Sequence, residues 1–144
     1  MKKAQIVAYN ETIFNIPVVV NEDMLKDKQV AVGINPLLRY KDDTDAIGCQ
    51  VWVVYSIGDK IIMEYGAVLT VVVEGWNNIL KNNLQDKDLI AASRDAWELT
   101  LGFVRGAISA NANTTGNAVV ARMLLPNVDI DRFMENVSIE KVAK

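Results

Sequence analysis

The stretch Ala46 to Val73, "AIGCQVWVVYSIGDKIIMEYGAVLTVVV", decides how this chain is built. Its odd positions Ile47, Cys49, Val51, Val53, Tyr55 and Ile57 are all apolar, while Gly48, Gln50 and Ser56 take the other parity. A period of two sends alternate side chains to opposite faces of a strand, so this run predicts a strand with one fully buried face. The pattern repeats over Lys60 to Val73, with Ile61, Met63, Tyr65, Ala67, Leu69, Val71 and Val73 in phase and Glu64, Gly66 and Thr70 among the others. Between the two runs, Gly58-Asp59 reads as a tight hairpin turn.

Upstream, Val30, Val32 and Ile34 alternate in a third strand, and "KDDTD" (Lys41 to Asp45) reads as the loop into the next one. The segment Ala4 to Ile16 is a weaker, more mixed fourth strand. The economical reading is an α+β fold with a four-stranded antiparallel meander. Strands of about twelve residues reach roughly 40 Å, which calls for a long cover. Asp86 to Asn111, "DKDLIAASRDAWELTLGFVRGAISAN", supplies it as one long helix with Asp86 or Asp88 as N-cap. At about 100° per residue its apolar side chains, Trp97, Leu101, Phe103 and Val104 among them, spread over an arc of roughly 200°. Covering one sheet needs a stripe about half that wide, so part of the arc is expected to face a second subunit. Gly102 and Gly106 suggest close packing or an early end. "NANTTGN" (Asn111 to Asn117) is a loop by composition, and an apolar run from Ala118 to Leu125 stops at Pro126. Asn127 or Asp129 then caps a short last helix with Ile130, Phe133, Met134 and Val137 as its apolar positions.

A length of 144 residues with 51% hydrophobic and 23% charged residues fits a single domain, 1–144, with its own core. The net charge of −3 and scattered Lys and Arg exclude the basic patch a nucleic-acid binder needs. "YGAVLTVVV" (Tyr65 to Val73), the longest uncharged apolar run, is about half of what spans a bilayer, so no membrane association is expected. No export signal is visible after "MKK", and a lone cysteine fits a reducing compartment, so a cytoplasmic location is expected.

The absence of histidine removes Ser/His and Cys/His nucleophile systems and His-containing metal sites. Cys49, on the apolar parity, reads as a small core residue. "KDDTD" and "NVDID" lack the glycine and distal glutamate of a calcium loop and read as a solvated loop and a helix cap. No catalytic residue, metal site or cofactor is expected. Trp97, Phe103 and Trp52 are candidates for a groove as well as for the core, and Trp52, on the less apolar parity, is placed on the sheet's second face.

The four strands, the long helix reaching Arg105-Gly106, and "LLPNVDIDRFM" (Leu124 to Met134) form an ordered set. That set resembles the SecB-like family of export chaperones, in which a long helix ends in Arg-Gly and a Leu-Pro-x-Val-like turn leads into a short last helix. Leu125, Pro126, Val128, Asp129 and Phe133 match that turn. "IFNIP" (Ile13 to Pro17) resembles the family's first strand through Phe14 and Pro17, ahead of a crossover loop. The resemblance implies a non-enzymatic, ATP-independent holdase that binds unfolded polypeptides in apolar grooves, assembled as a dimer of dimers.

Carried over by position, the groove would use Val18, Val20, Met24 and Leu25 of the crossover segment Val18 to Leu25, with Trp52, Trp97 and Phe103. Glu11 and Glu64 fall where family members dock the secretion motor, and Asn15 stands where a further acid is expected. Relatives serving toxin–antitoxin systems give a second partner class. Two other readings stay open: an adaptor or structural protein for one folded partner, and a carrier or enzyme with a pocket at the helix–sheet interface.

Overall fold

The structure is a computed structural model and describes residues 3–17, 29–82, 84–114 and 125–142. The hairpin forms as its alternation requires. Strand β3 (Ala46–Ile57) pairs antiparallel with β4 (Lys60–Val73), and both line the core with the expected parity, from Ile47 opposite Val71 to Tyr55 opposite Met63. Gly58 turns the chain with a φ of 58°, a left-handed value that glycine adopts without strain. Below Tyr55 the register slips by one, so Ile62 is buried and Ile61 is exposed, the reverse of strict alternation. A β-bulge inserts one residue and changes the facing of everything beyond it.

The sheet is larger than a four-stranded antiparallel meander. Its order is β1-β4-β3-β2-β5, with β1 (Ala4–Asn15) and β2 (Ala31–Tyr40) at opposite flanks of the hairpin. Strands β2, β3 and β4 do form a meander, but β1 lies antiparallel against β4, so the hairpin stands between the consecutive strands β1 and β2. The arrangement is a Greek key traversed in reverse. The fifth strand, β5 (Ser138–Lys141), pairs parallel with β2 and makes the sheet mixed. Its four residues, Ser-Ile-Glu-Lys, carry no apolar run that would mark a strand, and short charged strands are what sheet edges tolerate.

The helical cover is broken rather than continuous. Helix α1 (Trp76–Leu80) follows β4 directly and buries Trp76 against Tyr40 at 6.3 Å between ring centroids. Helix α2 (Asp86–Ala92) starts with Gln85 as N-cap, in a reciprocal capping box with Asp88. It ends at buried Ser93, whose hydroxyl donates to the Ile90 carbonyl at 2.6 Å, a local bond that competes with helix continuation. Helix α3 (Arg94–Thr114) then runs across the sheet, past the composition-based loop boundary at Asn111. Gly102 and Gly106 neither end it nor pack closely, since no atom lies within 4 Å of where their Cβ atoms would be.

The core lies between this helix and one sheet face. Trp97, Leu101, Val104, Ile108 and Ala112 of α3 meet Cys49, Val51, Val53, Tyr65, Ala67 and Leu69 of the hairpin. Thr100, fully buried, returns its hydroxyl to the Ala96 carbonyl and also bonds the Cys49 thiol, so neither polar group is stranded. The tail closes the open end. Arg105 donates to the carbonyls of Leu125 and Pro126, and Asp129 caps α4 (Ile130–Glu135) by accepting from the amides of Asp131 and Arg132. Phe133 then meets Trp97 edge-on at 5.4 Å.

Trp97 is 0% exposed and Trp52 is 41% exposed, so the two predicted groove tryptophans separate into a core residue and a surface residue. Trp97→Ala is expected to cost about 3–5 kcal/mol of folding stability, whereas Trp52→Ala stays within about 1 kcal/mol. Urea titrations of the two variants check this, and equal midpoint shifts would contradict the core assignment.

Candidate polypeptide-binding surface

Helix α3 presents two different faces. Its inner face is in the core; its outer face carries Leu99 and Phe103, 40% and 41% exposed and one turn apart, together with Gly102, Gly106 and Ala110. From Leu99 to Thr114 the only charged residue is Arg105, and its guanidinium is turned aside to the Leu125 and Pro126 carbonyls at 3.3 and 3.4 Å. From Leu99 to Ala110 the outer strip is therefore apolar, small and uncharged over about 18 Å of helix, before the exposed Asn113 and Thr114. The wide apolar arc in the sequence has this origin: one half is core and the other half is surface.

Structure flanks the strip on both sides. On one side, Tyr9 of β1 packs against Phe103 with ring centroids 4.7 Å apart. On the other, Gly102, Arg105, Gly106 and Ser109 form a groove of about 640 Å³ with Leu125, Pro126 and Asn127. The two glycines leave the helix backbone bare, which deepens the groove where side chains would otherwise fill it.

A polar cluster fixes the Tyr9 side. Its hydroxyl is hydrogen-bonded to that of Tyr65 and donates to Glu11 at 2.9 Å, and Asn111 of α3 donates to the same Glu11 carboxylate at 2.7 Å. Burial raises the Tyr65 hydroxyl pKa well above its ordinary value, with the contact to Tyr9 adding to the effect. Tyr9 is pushed up as well, chiefly by burial.

Glu11 and Glu64, predicted to share a docking face, lie on opposite faces of the sheet. Strand β1 has two bulges, at Val7 and Thr12, and each flips its parity. Ala4 and Ile6 face the helix; after the first bulge Tyr9 and Glu11 do; after the second, Phe14 does. Glu64 faces the other way, with Asn15 donating to it at 3.4 Å. Trp52 stands on that open face too, in a row across the sheet with Asn35, Gly66 and Ile13. Of the predicted groove residues, only Phe103 is on the outer strip; Val18, Val20, Met24 and Leu25 lie outside the described residues. Leu99 and Tyr9 belong to the surface and went unread as such. Helical periodicity places Leu99 in the apolar arc without telling its inner half from its outer half, and the parity of Tyr9 is scrambled by the bulges.

Among the described residues no cluster of histidine, cysteine, aspartate and glutamate is built to hold a metal ion, and no helix is long and apolar enough to cross a membrane. The two acidic segments have structural roles. Asp45 accepts from the Asn77 amide at 2.8 Å, which ties the β2–β3 turn to α1, and Asp129 caps α4.

With this geometry in place, comparison with solved structures gives a match to the SecB-like chaperone Rv1957 of Mycobacterium tuberculosis, solved in complex with a ChAD peptide from the HigA1 antitoxin. The TM-score is 0.52 at 11% sequence identity, and the match covers 88% of each chain. The chain has a SecB-like fold. No family model matches the sequence, and the search of curated proteins gives no match. Arg105 of α3 contacts the Leu125 and Pro126 carbonyls, and the helix continues past Arg105-Gly106 to Thr114 instead of ending there as the resemblance implies.

Cys49 has no nucleophilic part in this surface. It is fully buried, and burial pushes its pKa from 9.0 up to about 12, only partly offset by the Thr100 hydroxyl. Burial likewise pushes the Tyr55 hydroxyl from 10.0 up to about 12. Both folded values exceed the unfolded ones, so the contribution of the neutral groups is complete below about pH 9 and is lost as pH rises toward 12. Urea midpoints are expected to fall steeply over that range and to fall less in Cys49→Ala. A native thiol that reacts with a maleimide at pH 8 as fast as the unfolded chain would contradict the burial.

Proposed function

We propose that the protein is a non-enzymatic, ATP-independent chaperone that holds extended apolar polypeptide segments along the outer strip of α3. The observation that carries this reading is the outer face of α3 from Leu99 to Ala110, free of charged side chains, with Leu99, Phe103 and Tyr9 exposed and a glycine-floored groove alongside. Exposed apolar surface of this length marks a binding face. About 18 Å of strip accommodates roughly five residues of extended chain at ~3.3 Å each. Apolar contact without charge or dedicated hydrogen-bond donors favours many sequences over one, which is what a holdase needs. The SecB-like fold supports the reading by likeness. Self-association of the chain is part of it, since part of so long an apolar strip suits a second copy.

Motor docking is left out of the proposal. Glu11 is occupied by Tyr9 and Asn111 on the helix side, so Glu11 and Glu64 cannot form one acidic surface. A second reading, an adaptor dedicated to one partner, is favoured by the structure of the similar chaperone, which holds a peptide of one antitoxin. On that reading the same strip would take one sequence with high preference.

The test is light scattering of a chemically unfolded protein diluted into buffer with this protein at equimolar subunits and no nucleotide. Suppression is expected from the native chain and from Trp52→Ala, and at least a several-fold loss from Phe103→Asp. Molar mass measured on the same samples separates a lost binding surface from a lost subunit contact. If the native chain suppresses nothing, the holdase reading fails and the dedicated adaptor replaces it. Full activity in Phe103→Asp would instead remove the strip from the site.

A further inference from the structure

The open face of the sheet, on the side away from α3, has a feature that polypeptide holding does not use. Where the β2–β3 turn folds over the strand ends, a cavity of about 370 Å³ is bounded by Arg39, Lys41, Thr44, Gly48, Thr70 and Val142, among others. Its floor is the row Arg39–Gly48–Thr70 across β2, β3 and β4. Gly48 contributes no side chain there. A Cβ at this position would sit 3.5 Å from the Arg39 Cβ and 3.9 Å from a Val68 methyl, in ordinary contact, so the glycine opens space rather than relieving a clash. The C-terminal strand closes one side: Val142 donates its amide to the Tyr40 carbonyl at 2.7 Å, and Lys141 pairs with Asp42 at 2.9 Å.

The chemistry of the lining is one-sided. The cavity is lined by an arginine, a lysine, three hydroxyl-bearing residues (Tyr40, Thr44 and Thr70) and aliphatic residues including Ala46, Val68 and Val142, with no carboxylate. The acidic contact of Arg39 is Glu140 at 3.7 Å, too long for a hydrogen bond, and the Arg39 Nε is buried without an acceptor among the described residues. Lys41 forms no ion pair among the described residues, while the neighbouring acids Asp42 and Asp45 are taken by Lys141 and the Asn77 amide. Thr44 accepts from the Ala46 amide with its oxygen, which leaves its hydroxyl hydrogen free to donate.

Donors and positive charge over an aliphatic wall, in a volume within the range of small-molecule sites, fit one negative charge on a short apolar body. One lysine without an ion pair among the described residues, an arginine already 3.7 Å from Glu140 and a mostly aliphatic lining suit a carboxylate better than a phosphate. We propose that this cavity binds a carboxylate borne on a short aliphatic group, either a free acid or the C-terminal residue of a polypeptide. It lies across the sheet from the α3 strip and stands or falls independently of it.

Calorimetric titration of the full chain with 4-methylpentanoate and with N-acetyl-leucine, each against its amide, tests the assignment. Both acids bind, the amides bind at least about tenfold more weakly, and Lys41→Gln weakens the acids by about tenfold. Gly48→Ala, whose Cβ makes only ordinary contacts, narrows the floor and weakens binding of the acids at least several-fold while the melting temperature is kept. Tighter binding of N-acetyl-leucine assigns the site to chain ends, and tighter binding of the free acid assigns it to small metabolite-like acids. Amides that bind as well as acids, acids that give no heat up to tens of millimolar, or binding intact in both variants would each overturn the proposal.

Discussion

The packing of α3 on the β3–β4 hairpin is the contact on which the rest of the molecule depends. Each hairpin strand has one face made wholly of apolar residues, and a lone hairpin cannot keep such a face in water. Trp97, Leu101, Val104 and Ile108 cover it, and the cover fixes the remaining elements. Ser93 marks the break between α2 and α3, Arg105 is brought to the Leu-Pro turn, and Phe133 is brought to Trp97. Only after the inner half of α3 is used in this way does its outer half become a surface.

That division resolves a tension in the sequence. A helix with apolar residues over some 200° is either buried all round or has a second apolar partner. Here the second face is bordered by Tyr9 on one side and by the Leu125–Asn127 segment on the other, which gives it a shape as well as a polarity. The glycines belong to this outer face. At positions where they cost helix propensity and relieve no clash, their effect is to bare backbone in a groove.

How much of this could be read in advance depended on whether side-chain periodicity survived. It survived in β3 and in most of β4, so both strands, their turn and the surface position of Trp52 were legible. It failed at bulges, which are backbone events with no compositional mark: Ile62 replaced Ile61 in the core, and Glu11 changed faces. Strand β1 has no buried residue at all, so hydrophobic selection left almost no pattern on it. The far position of β1, the parallel pairing of β5 and the break at Ser93 are long-range or local backbone choices that alternation cannot report. The Leu-Pro turn and its Asp129 cap were legible because they rest on capping chemistry, which is local.

A sheet with one covered face leaves the other to evolve on different terms. On the helix side the strip offers shape and apolar contact, because charge has been excluded from it. On the open side, Arg39 and Lys41 gather at one end around Gly48, while Trp52 and Ile13 lie in a row nearer the other. Side chains that alternate along a strand share its backbone but point to opposite solvents, so a change on one face leaves the packing of the other intact. Two chemically unlike surfaces can therefore coexist in a chain this small, provided the hairpin between them stays rigid. The uninterrupted pairing of β3 with β4 from Ala46 to Tyr55 supplies that rigidity.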